Sequence, residues 1–169
     1  MFKRRLATAA VCLGLLATPY PAAANTLSRE DDGRILTIML KFDGTLRKMG
    51  PWLRENPKAK DNPSLFFCFM TVQSYNALLF HLAADLQNET KLASQMIDKA
   101  DEKLINDNLA IQIPLAAREV VTDRDAVNQS GDECAYNAFI AESAHEINAV
   151  SNDFIEALNA IQHKLLPQQ

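Results

Sequence analysis

"FFCFMTVQSYNALLF", residues Phe66 to Phe80, decides how this chain is built. If each residue turns about 100°, Cys68, Val72, Leu79, Leu82 and Leu86 fall within about 60° of Tyr75. That is one core-facing helical stripe. Phe66, Phe69 and Phe80 point about 120° to 180° away from Tyr75, with Ala77 and Ala84 beside them. A helix apolar on two sides is central in its domain, or it offers one side to another molecule. Phe66, Phe69 and Phe80 are therefore the candidate surface for a protein partner or for self-association. The helix is expected from Leu65 to about Gln87, with Ser64 as its N-cap.

Working outward, Ile35, Ile38, Met39, Phe42, Leu46 and Met49 share one stripe, which predicts a helix from about Ser28 to Met49. Gly50-Pro51 is expected to stop it. A polar, Pro-rich connection follows. A third helix is expected over about Glu89 to Asn106, with Leu92, Met96, Ala100 and Leu104 inward and its charges solvated. Pro114 suits the first position of a short extra helix, Leu115 to about Val121, followed by a polar connection. Ser130 and Glu133 read as a capping box opening a last helix that ends near Leu165. Its stripe contains Tyr136, Phe139, Ile140, Ile147, Val150, Phe154, Leu158, Ile161 and Leu165. Four long amphipathic helices and a short one make an all-α antiparallel bundle the expected fold.

The N-terminus reads as an address. "MFKRR" is basic, "LATAAVCLGLLA" is apolar but too short to span a bilayer, and Ala22-Ala23-Ala24 fits an A-x-A cleavage site before Asn25. Residues 1–24 are expected to be a cleaved signal peptide, and residues 25–169 a single exported domain in the periplasm or outside the cell. No later segment is expected to span a membrane. The whole chain has 17 Lys and Arg against 21 Asp and Glu; without Lys3, Arg4 and Arg5 the net charge falls from −4 to −7. Such an acidic domain argues against nucleic acid as a partner.

Cys12 belongs to the leader, which leaves Cys68 and Cys134. In an oxidising compartment an even pair of cysteines is expected to close. Cys134, in the first turn of the expected last helix, faces about 160° away from Phe154. The bridge should therefore pin the start of that helix, from its outer side, to the start of the Cys68 helix; otherwise the last helix begins later and Cys134 is in a loop.

Chemical motifs are weak. Glu142-x-x-His145 has metal-ligand spacing, but both residues point away from the apolar stripe of their helix. Asp123, Asp125 and Asn128 resemble part of a calcium loop, without its glycine and closing glutamate. His145 and His163 would lie about 27 Å apart along one helix, too far to share an ion. No catalytic residue, metal or cofactor is expected. The expected function is non-enzymatic binding of another protein, in an inhibitory, immunity, chaperone-like or assembly role. The alternative is a bundle that holds a small apolar ligand between its helices.

Overall fold

Ser28 opens the first helix. Its hydroxyl oxygen accepts the Asp31 N–H at 3.3 Å, and the Asp31 carboxylate accepts the Ser28 N–H at 2.8 Å. This reciprocal capping satisfies donors that the first helical turn leaves free. The computed structural model describes residues 27–96 and 98–166. The expected leader and its cleavage site lie outside the described residues.

The elements are α1 (Arg29–Glu55), a 3-10 turn (Pro57–Asp61), α2 (Pro63–Gln95), α3 (Lys99–Glu133) and α4 (Ala138–Leu165). The described residues form an all-α bundle. Each helix packs on the next, α4 returns to α1, and α1 and α3 occupy opposite corners. Phe42, Phe69, Phe154, Ile35, Leu79, Leu109, Ile113, Ile140, Ile147 and Leu158 fill the core. Fully burying a side chain of this kind stabilises by about 1.5–3 kcal/mol.

Several boundaries differ from the expected ones. Gly50-Pro51 does not stop α1, which continues to Glu55. Pro51 has no N–H to give the ladder. The extra turn, however, carries Trp52 to rings of two other helices: Phe69, at 5.5 Å and 18° between planes, and Phe139, at 4.8 Å and 3°. The cap of α2 is Asn62, whose side chain accepts the Leu65 N–H at 3.2 Å, and Pro63 takes the first helical position. Residues 89–95 belong to α2, and the chain reverses between Gln95 and Lys99. The expected stripe through Leu92 and Leu104 is thereby cut, and both residues are exposed.

Pro114 lies inside α3 instead of opening a short helix. Buried residues Leu109, Ile113, Ala116, Val120, Asp123 and Val127 run through it at alternating steps of three and four. Packing on both neighbours outweighs one missing hydrogen bond. Ser130 and Glu133 close α3 rather than open α4. Asn137 caps α4 by accepting the Ile140 N–H at 3.1 Å. Tyr136 lies outside α4 and is exposed.

Cys68 and Cys134 are at disulfide distance, with Cα atoms 6.3 Å apart. The second expected arrangement holds: Cys134 is the residue just after α3, in the connection to α4. The pair joins the start of α2 to the end of α3.

Lengths are unequal. Arg124 donates to Asn152 and Asn128 to Asn148, an antiparallel register that sets the end of α4 beside the region of Ile111. The first turns of α3 run beyond it. Gln87 donates to Asp32, so the last turns of α2 run beyond the start of α1. A two-helix hairpin projects from that end of the bundle.

Candidate functional site on the outer face of the second helix

From Pro63 to Ala84 the chain has no Asp, Glu, Lys or Arg. This is about 33 Å of helix without a charge. α2 is also long and apolar enough to cross a membrane by length and composition alone, which corrects the expectation that no later segment would be. In the bundle its inward residues Cys68, Phe69, Val72, Leu79 and Ala83 are core. Only 28% of its most apolar window is buried.

The exposed stripe consists of Ser64, Phe67, Met70, Ser74, Leu78 and His81. Phe67 is 65% exposed, Leu78 51% and Met70 40%. Side chains of this size in contact with water along a charge-free face are a mark of an interaction surface.

The candidate residues named from sequence lie elsewhere. Phe69 is fully buried against Trp52. Phe66 and Phe80 are half-buried, and Phe80 packs on the core and edge-on to His81 at 5.3 Å. For Phe69 the physical reason is Trp52, which the extra turn of α1 stacks on its ring. Phe80 lies further along the same side, where the register of Asn76 with Phe42 and Gln87 with Asp32 sets it beside Ile38 and Met39 of α1. The second apolar side inferred from sequence is thus covered by the chain itself, the arrangement of a central helix, and the exposed apolar row is a different set of residues on the opposite flank. Phe67 and Leu78 lie about 80° and 60° from Tyr75 on that flank. Periodicity gives these angles; it does not say which flank a neighbouring helix covers.

At the cysteine end of the stripe, Phe67 and Tyr136 flank an open cleft of about 450 Å³ that includes Cys68, Cys134, Pro63 and Glu133. A second open cleft, about 440 Å³, lies by Trp52, Asn56, Lys58, Asn62, Leu65 and Asn137. Both face solvent at the end of the bundle rather than lying between its helices, so neither resembles the enclosed space expected for a small apolar ligand.

Glu142 and His145 are exposed on the outside of α4, and His81 and His163 are exposed as well. Asp123, Asp125 and Asn128 lie in continuous helix: Asp123 is buried, Asp125 is exposed and Asn128 reaches Asn148. Among the described residues, no three His, Cys, Asp or Glu side chains are grouped to hold a metal ion.

Two buried carboxylates differ in environment. Burial raises the pKa of Asp31, but the hydrogen bond from Lys164, those from the Ser28 backbone and hydroxyl, and the Lys164 charge together hold it below the usual value. Lys164 Nζ sits 2.7 and 2.8 Å from its two oxygens. Asp123 is pushed up to about 6, first by burial and then by the charge of Glu119. Its Oδ2 is buried without a hydrogen-bond partner.

No protein-family model, curated protein or solved structure matches this chain. The functional reading therefore rests on the site alone.

Proposed function

We propose that the mature chain is exported and acts non-enzymatically by binding another protein through the outer face of α2. The observation that carries this reading is the uncharged, solvent-facing row of Phe67, Met70 and Leu78 on a domain otherwise rich in charge. A buried contact of this type draws on aromatic and Met anchors, and a few of them dominate its energy. Export is supported by the three-part leader and by two cysteines at disulfide distance. The acidic balance of the domain favours a protein over a nucleic acid as partner.

The experiment compares purified residues 25–169 with the double variant Phe67→Asp, Leu78→Asp as baits for envelope proteins. Both substitutions sit in solvent, so helical content and melting temperature should change little. The wild-type bait should retain a stoichiometric partner that the variant loses. Equal retention by a folded variant would remove this face from the function.

A further inference from the structure

Asp123 lies in the seam between α2 and α3. Gln112 and Asp123 are eleven residues apart on α3, a rotation of about 20°, so they share a direction. Gln112 donates to Glu89 of α2 at 3.1 Å, which fixes that direction as the one facing α2. The α2–α3 register is set by Glu89 with Asn108 and Gln112 toward one end, and by Cys68 with Cys134 at the other. This register puts Ala77 to Leu79 at the height of Asp123, with Tyr75 and Asn76 within one turn. Asn76 turns to α1, where it donates to the Phe42 carbonyl at 3.2 Å. The Asp123 residue is 7% exposed.

The charged and titratable groups around it leave it alone. From α2, the titratable Tyr75 lies within one turn of its height, and no charged residue occurs between Pro63 and Ala84. From α4, Asp153 is drawn to Lys41 and Glu156 to Arg34, both on α1. On α3, the Arg124 guanidinium is held by Asp125 and Asn152. Glu119, one turn earlier on α3, carries the same sign of charge.

We propose that Asp123 is a proton-operated latch: as the neutral acid it lets α3 close on α2, and as the carboxylate it loosens that seam. The latch acts by linkage. A carboxyl that titrates near 6 when folded, and near 4 when unfolded, binds its proton more tightly in the native state. Its favourable contribution is complete below about pH 4 and is lost as the pH rises through about 6. The ceiling is a change of about a hundredfold in the folding equilibrium constant.

The test uses residues 25–169 with the cysteine pair oxidised. Urea unfolding is followed from pH 4 to 8 for the wild type and for Asp123→Asn, whose amide cannot ionise. The two should have similar midpoints near pH 4, and the wild type should fall progressively below the variant as the pH rises to 7.5. Parallel curves would overturn the latch. A direct reading comes from carboxyl-carbon NMR of the wild type, which stays informative if the Asn variant folds poorly. Titration of Asp123 near 6, moved toward lower pH by Glu119→Gln, supports the proposal; titration in the ordinary carboxylate range overturns it.

Discussion

At one end of the bundle Trp52 lies between the rings of Phe69 and Phe139, and Cys68 meets Cys134. At the other end Lys164 reaches Asp31, next to a hairpin that carries Leu92 and Leu104 into solvent. The first end is closed by aromatic burial and a cross-link between distant parts of the chain. The second is closed by hydrogen bonds of the capping turn and one half-exposed ammonium. Cross-links and buried rings resist local opening, whereas exposed polar contacts and projecting turns open readily. The difference teaches that stability in this molecule is graded along the helix axes, with the candidate face of α2 starting at the firm end.

The gradient can be broken most strongly at the cysteines. Replacing Cys68 by Ser should lower stability by about 4 kcal/mol on the loop-entropy estimate, with 2–5 kcal/mol the usual span for a native bridge. Urea midpoints with and without reductant check this: reductant should lower the wild type and leave the variant unchanged. Next comes Gly131, near the same end. A Cβ there would meet the Ala144 Cβ at 2.7 Å, because α3 and α4 approach closely at this point. Gly131→Ala should cost about 1–3 kcal/mol by overpacking. Adding Ala144→Gly should restore part of the loss in thermal melts.

At the other end the effects shrink. Asp31→Asn removes the carboxylate from the capping box and from Lys164, and should cost about 1 kcal/mol at neutral pH. The Asp31 pKa is lowered in the folded state, so its contribution is present at neutral pH and lost as the pH falls through the folded value. Melting curves of wild type and variant should converge in acid. Smallest of all, Leu104→Gln should change stability by less than about 0.5 kcal/mol, because Leu104 is 70% exposed on the projecting hairpin. A large loss there would show that the two ends are not different in kind.

The same contrast explains what could be read from sequence. α4 was legible because its buried positions are mostly bulky: Ile140, Ile147, Val150, Phe154, Leu158 and Ile161. The inward row of α3 includes Glu102, Ala116, Asp123 and Ser130. Their small size or polarity diluted the periodic signal, and Pro114 and the Ser130–Glu133 pattern then read as breaks. Local signals of this kind carry little energy against a continuous packed seam. The cysteine pair was legible from its number and expected compartment, and Phe69 from its angle as an apolar position. What covers Phe69 was not legible, because it depends on Trp52, which arrives from another helix after the apparent stop at Gly50-Pro51. Phe67 fell outside both apolar groupings on α2, and its exposure follows from the absence of a neighbour rather than from its own spacing.

The cross-link gives the folded chain the topology of a ring with two tails. The ring closes through Cys68 and Cys134 and contains most of α2 and α3; α1 forms one tail and α4 the other. A single protease cut at the reversal between Gln95 and Lys99 would open the ring without releasing either piece. The nicked molecule would migrate as one species until reduced, and then separate into an α1–α2 half and an α3–α4 half. Each half would be an antiparallel helix pair with one exposed apolar seam, which makes the oxidised and reduced forms differ in how many molecules the chain becomes once it has been cut.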